Sequence, residues 1–221
     1  MALTLQALQL IKPYLKGKIL QLGYNDILAT PEEVEGLFGV SVKERTDFGK
    51  WHGIKHPLVE TQAFLEALGC HSTCIDIVQS RGCELVCDLN TPYLPFEPNS
   101  FDLVIDGGTL EHVFNIGQAL MNVANAVRVG GVIFHGNPVN WINHGFYSMN
   151  PTLLHDFYTQ NGWEELHAKI VARDGQTEDV NPVKRFLAKI ELSNLYAARR
   201  KEFATLKFPT QTKYLNNPTL T

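Results

Sequence analysis

The sequence is poor in charged residues and in long apolar runs. Only 19% of the 221 residues are charged, and 19 Lys and Arg stand against 23 Asp and Glu, for a net charge of −4. This balance gives no general electrostatic reason to bind nucleic acid or an anionic membrane surface. No window approaches the roughly 18 consecutive apolar residues that a membrane span needs, and residues 1–18 lack the features of a secretory signal. We therefore expect neither nucleic acid nor a membrane as a partner, and a cytoplasmic location.

Cysteine is also scarce. The four cysteines are Cys70, Cys74, Cys83 and Cys87, and their spacing invites comparison with a zinc site. Cys74 and Cys87 fall in strand-like runs, and residues four apart along a strand are separated by about 13 Å. Zinc ligands must lie within about 2.3 Å of one metal ion. We therefore predict no metal site and four buried, reduced thiols.

Short apolar runs alternate with helical patterns along most of the chain. The runs predict five buried strands, at 18–23, 72–77, 84–87, 101–106 and 131–135, and a weaker sixth at 165–171. Apolar residues at helical spacing predict helices at 57–68, 115–127 and 151–161. Alternating strands and helices are typical of a parallel sheet that is covered on both faces. The predicted fold class is therefore α/β, with a doubly wound, mostly parallel sheet.

The length suits a single domain, which we expect over residues 1–207. The stretch between the first two strands is longer than one crossover needs, so residues 26–56 are predicted to form a helical insertion. Residues 30–33, Thr-Pro-Glu-Glu, form a good helix start. Residues 208–221 are polar and interrupted by proline, which predicts a loose C-terminal tail.

Acidic residues recur where the predicted strands end. Open α/β sheets bind ligands outside the carboxyl ends of their strands, and Asp76, Asp88 and Asp106 stand at three such ends. A single Asp there is most often a cap or a turn residue. Three on one edge can together accept hydrogen bonds from hydroxyls and an amine, and can attract a cation.

Three runs then occur in a fixed order: DLNTPYLPFEPNSFDLVI at 88–105, GTLEHV at 108–113 and NAVRVGGVIF at 125–134. In order and spacing they resemble the class I S-adenosylmethionine-dependent methyltransferases. The resemblance implies a Rossmann-like fold, S-adenosylmethionine as cofactor and transfer of a methyl group. Of the family's first glycine motif, residues 21–26 keep only Gly23. A second hypothesis therefore stays open, namely a non-catalytic protein of this fold that serves as a partner or scaffold.

The resemblance also implies roles for individual residues. Asp76 would accept hydrogen bonds from both ribose hydroxyls, and Asp88 would lie near the adenine amino group. Gly23 would let the backbone pass close to the methionine part of the cofactor. The full set of implied cofactor-binding residues is Gly23, Asp76, Ile77, Asp88, Leu89, Asp106 and Gly107, in which Ile77 and Leu89 are apolar walls to the ring.

An acceptor hydroxyl needs a base, and His112 and His144 are the candidates. Each has a plainer interpretation, as a histidine bonded to the backbone at a helix start or as a satisfied histidine in a packed loop. The loop after the fifth strand also carries polar residues that could orient a substrate: Asn137, Asn140 and Tyr147. We expect methylation of an oxygen on a small polar or sugar-like acceptor. The sequence identifies neither the acceptor nor the oligomeric state.

Overall fold

The computed structural model describes residues 2–47 and 52–217. Its strands are β1 (Ala2–Leu3), β2 (Lys18–Leu22), β3 (Asp26–Ile27), β4 (Glu44–Arg45), β5 (Leu58–Val59), β6 (His71–Asp76), β7 (Glu84–Val86), β8 (Phe101–Asp106), β9 (Val127–His135), β10 (Glu164–Ala172), β11 (Thr177–Asp179) and β12 (Leu192–Arg199). Its α-helices are α1 (Leu5–Ile11), α2 (Pro31–Phe38), α3 (Thr61–Ala67), α4 (Ile116–Ala126), α5 (Pro151–Gln160) and α6 (Thr212–Leu215). Short 3₁₀ turns cover Lys12–Tyr14 and Leu110–His112.

Eight of these strands form the main sheet, in the order β11-β10-β12-β9-β8-β2-β6-β7. The five strands from β9 to β7 pair in parallel, and helices accompany them, so the doubly wound α/β prediction is confirmed. The predicted sixth strand exists as β10, but it runs antiparallel to β12. Strand β12, which lies between β10 and β9, has no counterpart among the predicted strands.

The core has two parts, one on each face of the sheet. Ile19 packs with α1 and α3 on one face, whereas Leu20 and Leu22 pack with α4 and α5 on the other. Side chains along a strand alternate between the two faces, and a sheet covered on both sides buries both sets. The continuous apolar runs in the sequence therefore reflect burial on both faces.

The described parts of the predicted insertion, residues 26–47 and 52–56, are only partly helical, and residues 48–51 lie outside the described residues. Helix α2 begins where the sequence predicts, because the backbone amide of Glu33 donates to Thr30 Oγ1 at 3.2 Å and that of Thr30 donates to Glu33 Oε2 at 2.8 Å. The rest corrects the prediction, since β3 and β4 join β1 and β5 in a four-stranded sheet of order β1-β3-β5-β4. Its strands of two residues are too short for an alternating pattern to reveal.

The chain after residue 207 is held more firmly than the sequence indicates. The amide of Thr210 donates to Gln160 Oε1 at 3.0 Å, and Asp156 accepts from both the amide and the hydroxyl of Thr212. These contacts attach Thr210 and Thr212 to α5, within the segment that the sequence predicts to be a loose tail. Residues 218–221 lie outside the described part.

The cysteine prediction holds for three of the four side chains. Cys70, Cys74 and Cys87 are buried and free, whereas Cys83 is free but exposed. Cys83 precedes the edge strand β7, where nothing in the described chain covers it fully. Among the described helices, none is both long and apolar enough to span a lipid bilayer.

Candidate active site

The carboxyl ends of four parallel strands meet at one edge of the main sheet. Leu22, at the end of β2, pairs with Asp106 on one side and with Ile75 on the other. Asp76 in turn pairs with Val86 at the end of β7. The strand ends singled out in the sequence therefore share one edge, as the fold class requires.

Asp76 ends β6 with its carboxylate fixed beside an apolar surface. Its Oδ1 accepts from the backbone amides of Ile77 at 2.6 Å and Val78 at 3.4 Å. The Ile77 and Val78 side chains are 60% and 56% exposed. A carboxylate next to uncovered aliphatic side chains offers both acceptors for hydroxyls and a face for a flat ring. Val78 was missed, although it continues the apolar run of β6.

Asp88 and Leu89 point in opposite directions. Asp88 is exposed, and hydrogen bonds from the amide and side chain of Asn90 lower the pKa of its carboxyl below the usual value. Leu89 is buried in the core beneath the sheet edge. Leu89, predicted as an apolar wall to the ring, therefore points inward in this structure, whereas Asp88 faces solvent.

The loop after β2 is closed over by the start of the chain. Gly23 has φ +66° and donates its amide to Ile75 O at 2.7 Å. Ala2 donates its amide to Gly107 O at 2.8 Å. A Cβ at Gly107 would overlap Asn25 Oδ1 and would lie 3.2 Å from Ala2 O. Only glycine fits at this point of close approach.

The same loop leaves one polar atom unsatisfied. Asn25 is buried, its Nδ2 donates to Gly23 O at 3.1 Å, and its Oδ1 has no hydrogen-bond partner among the described residues. Buried polar atoms rarely lack a hydrogen-bond partner. The methionine part of S-adenosylmethionine carries an ammonium donor, and the resemblance places it near Gly23 and Gly107. The residues present therefore fit that group at both the ribose end and the amino-acid end.

Asp106 belongs to a buried network rather than to an open surface. Its Oδ2 accepts from His135 Nδ1 at 2.8 Å and from Asn137 Nδ2 at 2.9 Å, and its Oδ1 accepts from the Thr109 amide at 2.9 Å. Burial opposes the charge, but the hydrogen bond and charge of His135 hold the pKa of this carboxyl below its usual value. The carboxylate points inward, so it supports the strand end instead of facing a ligand.

Glu111 is the residue that joins this network to the predicted bases. It is fully buried, and its Oε2 accepts from Asn137 Nδ2 at 2.9 Å. Its Oε1 lies 3.7 Å from His144 Nε2 and 3.9 Å from His112 Nε2. Burial, and secondarily the charge of Asp106, raise the pKa of Glu111 to about 7. The structure thus brings His112 and His144 together around an acid that the pattern analysis missed.

The loop that carries His144 is attached to Glu111 by its backbone. Glu111 O accepts from the amides of Phe146 at 2.8 Å and Tyr147 at 3.2 Å. A Cβ at Gly145 would lie 2.7 Å from that oxygen, so the close approach requires glycine. The tether places His112 and His144 with ring centroids 5.1 Å apart.

Aromatic side chains surround the histidines. Phe114 and Phe146 meet edge to face at 5.4 Å, and Trp141 meets His144 edge to face at 5.2 Å. Phe114 and Phe146 are exposed, as is Ile142. An open apolar surface beside polar groups is typical of a small-molecule site. Burial, followed by the nearby charge of His144, lowers the pKa of His112.

The three predicted acceptor residues take different positions. Asn137 is buried and bridges Asp106 and Glu111. Tyr147 donates its hydroxyl to Phe114 O at 2.7 Å. Asn140 donates to Ile190 O and accepts from the Leu192 amide, both at 2.8 Å, and lines a separate cleft of about 430 Å³. The structure therefore groups Asn137 and Tyr147 with the histidines and places Asn140 elsewhere.

Residues 60–135 match a family model that is described as a methyltransferase domain. The match runs through β6, β7 and β8 to the end of β9. It therefore contains the three strand-end acids, Asp76, Asp88 and Asp106, and the turn with Glu111 and His112. No curated protein sequence matches this chain.

The fold is shared with a solved structure. TehB from Haemophilus influenzae is 12% identical and aligns with a TM-score of 0.53 over 88% of this chain and 61% of its own. The Burkholderia thailandensis 1,6-didemethyltoxoflavin-N1-methyltransferase, with bound 1,6-didemethyltoxoflavin and S-adenosylhomocysteine, is 14% identical, with a TM-score of 0.49 over 89% of this chain and 77% of its own. At such identities the likeness to TehB concerns the fold.

The matched domain contains the runs on which the resemblance in the sequence rests, and those runs form the strands and the site edge that the resemblance implies. Residues 60–135 of this chain are therefore similar to a methyltransferase domain, and the fold around them is the one that the resemblance implies.

Proposed function

We propose that this methyltransferase acts on an oxygen of a small polar or sugar-like acceptor. The observation that carries the proposal is the position of Glu111 and His112, which follow β8, and of His144, which follows β9, at the same sheet edge as Asp76. One strand, β2, separates β8 from β6, so the two strand ends lie about 10 Å apart. A nucleoside with a methionine arm spans that distance.

The donor would lie along the edge between these two strand ends. Asp76 would accept from the ribose hydroxyls, the ring would rest on Ile77 with Asp88 near its amino group, and Asn25 Oδ1 would accept from the ammonium. Leu89 and Asp106 would support this edge from beneath through their buried side chains.

The bound donor supplies a methyl group that is already activated on a sulfonium. The protein therefore has to orient the acceptor in line and exclude water. The exposed aromatic surface around Phe114 and Phe146 would hold the body of the acceptor. Either His112 or His144 would take the hydroxyl proton, and the lowered pKa of His112 favours an unprotonated nitrogen at neutral pH. The presence of two candidate bases supports an oxygen as the methylated atom. Methylation of a nitrogen is the competing outcome.

Calorimetric titration with S-adenosylhomocysteine tests the donor site. We expect one site per chain and a loss of at least about tenfold in affinity for Asp76→Ala, because hydrogen bonds to a charged group contribute about 1.5–3 kcal/mol. Asp174→Ala is the matched control, since Asp174 is exposed in the turn between β10 and β11, and it should bind like the wild type. Absence of binding at millimolar ligand would contradict the proposal and favour the non-catalytic scaffold.

A further inference from the structure

Three side chains that can ligate a metal meet at the sheet edge where β8 and β9 end. Glu111, His112 and His144 each offer one ligand atom, and these atoms all lie within 4.8 Å of one another. Both imidazole Nε2 atoms lie within 3.9 Å of Glu111 Oε1. Ligands of a tetrahedral zinc ion, each about 2.0–2.2 Å from the metal, are about 3.3 Å apart. Each imidazole must therefore approach the carboxylate by about half an ångström, and the two histidine ligand atoms, which lie within 4.8 Å of each other, must approach by up to about 1.5 Å.

Glu111 has the features of a pre-positioned ligand. Its Oε2 is fixed by Asn137, whereas its Oε1 is buried and has no hydrogen-bond partner among residues 2–47 and 52–217. A buried carboxylate oxygen without a partner is costly, and a cation at Oε1 would remove that cost. A hydrogen bond to the second oxygen is the outer-shell support that ligating carboxylates typically receive.

The two histidines can complete the set. Their side chains are 47% and 40% exposed, so the rings have room to turn toward the carboxylate. The backbone tether between Glu111 and the loop of Phe146 and Tyr147 holds both parts of the cluster together. The cluster is therefore closed on the protein side and open toward solvent.

We propose that Glu111, His112 and His144 bind one divalent transition-metal ion. Two imidazoles and one carboxylate suit zinc, cobalt or iron(II), whereas magnesium and calcium prefer oxygen ligands alone. Three protein ligands leave at least one position open, which is the arrangement of catalytic rather than structural sites. The prediction of no metal site rested on the cysteines, which lie elsewhere.

A further consequence rests on the proposed function. The open position would hold the acceptor oxygen, and the metal would lower the pKa of its hydroxyl. A ring nitrogen that ligates a metal cannot also accept a proton. With a metal bound, the metal would take the role that the proposed function gives to a histidine base, and the hydroxyl proton would leave to water instead of to His112 or His144.

Metal binding can be measured without turnover. We would treat the full-length protein with EDTA, remove the chelator and titrate it with Co²⁺ by visible absorption and with Zn²⁺ by calorimetry. We expect one ion per chain, and ligand-field bands typical of mixed nitrogen and oxygen ligation. His112→Ala and His144→Ala should each weaken binding by more than about 100-fold, since loss of an outer-shell partner alone costs about 10–100-fold.

His71→Ala is the matched control, because His71 is exposed at the opposite end of β6, and it should bind like the wild type. Glu111→Gln should abolish binding, and circular dichroism would show whether this buried variant folds; the two histidine variants decide the question if it does not. Absence of binding, or binding unchanged in both histidine variants, would overturn the metal site. Titration of the EDTA-treated protein with S-adenosylhomocysteine tests the proposed function separately.

Discussion

Gly107→Ala probes the contact between the start of the chain and the loop after β2. The added Cβ would overlap Asn25 Oδ1 and would lie 3.2 Å from both Asn25 Cγ and Ala2 O. Carbon contacts are optimal at about 3.5–4.0 Å, so both neighbours must move. The side chain of Asn25 is held by the hydrogen bond from its Nδ2 to Gly23 O. Its backbone is held by the hydrogen bond from its backbone amide to Gln21 Oε1, at 3.4 Å. Overpacking of this kind costs about 1–3 kcal/mol.

The assay is urea unfolding of a double-mutant cycle. Asn25→Ala removes the clashing amide and its bond to Gly23 O, at a cost of about 1 kcal/mol. If Gly107 and Asn25 touch as described, the double variant should be more stable than the sum of the single effects by at least about 0.5 kcal/mol. The Gly107→Ala protein should also bind S-adenosylhomocysteine more weakly, because Asn25 Oδ1 is displaced.

Additive effects within error would refute this reasoning. They would mean that Gly107 and Asn25 do not share one packed space, and that the loop after β2 is more open than described. The thermal midpoint gives an independent check, since 1 kcal/mol corresponds to about 2–4 °C for a chain of this size.

Two further substitutions test the frame of the site. Asp102 accepts from the Lys18 amide at 2.8 Å and pairs with Arg128 at 2.6 Å, and although burial opposes its charge, these bonds lower the pKa of its carboxyl. Asp102→Asn should cost about 1–2 kcal/mol at pH 7 by urea unfolding. Because an unfolded Asp titrates near pH 3.9, the wild-type advantage is complete above that pH and is lost as the pH falls through the lower folded pKa; an advantage that grows in acid would contradict this assignment. Gly145→Ala should cost about 1–3 kcal/mol by its clash with Glu111 O, and a neutral effect in the same assay would show that the loop does not pack there.

The strands that are buried on both faces of the sheet were predictable, because such burial produces a continuous apolar run in the sequence. Strands β2 and β8 are apolar runs because almost all of their side chains are buried, on both faces of the sheet. Strand β12 was missed because its sequence mixes Asn194 and other polar residues with apolar ones. Asn194 is buried, and its side chain donates to Met149 O. A polar residue that finds its partner far along the chain hides a buried strand from pattern analysis.

The part of the site that would bind the methyl donor, around Asp76, was also predictable from the local sequence. A residue at a strand end reaches the sheet edge by virtue of that position alone, so Asp76 could be found from the sequence. The direction of a side chain is a different matter. Asp106 also ends a strand, yet His135 and Asn137 draw its carboxylate into the interior. Leu89, the residue after Asp88, is apolar and turns into the core.

The part of the site that would bind the acceptor, around Glu111, His112 and His144, depends on contacts between residues that are distant in the sequence. Glu111 stands next to His112 in the sequence, but its importance comes from Asn137 on one side and from the loop of His144 on the other. That loop reaches Glu111 through two backbone hydrogen bonds, which any sequence could make. Burial of the acid follows from this closure, and with it come both the raised pKa and the unpaired oxygen. The chemistry of Glu111, His112 and His144 therefore depends on the contact between Glu111 and the loop of Phe146 and Tyr147. Substitutions that break this contact should change the properties of these three residues more than they change the sheet edge around Asp76.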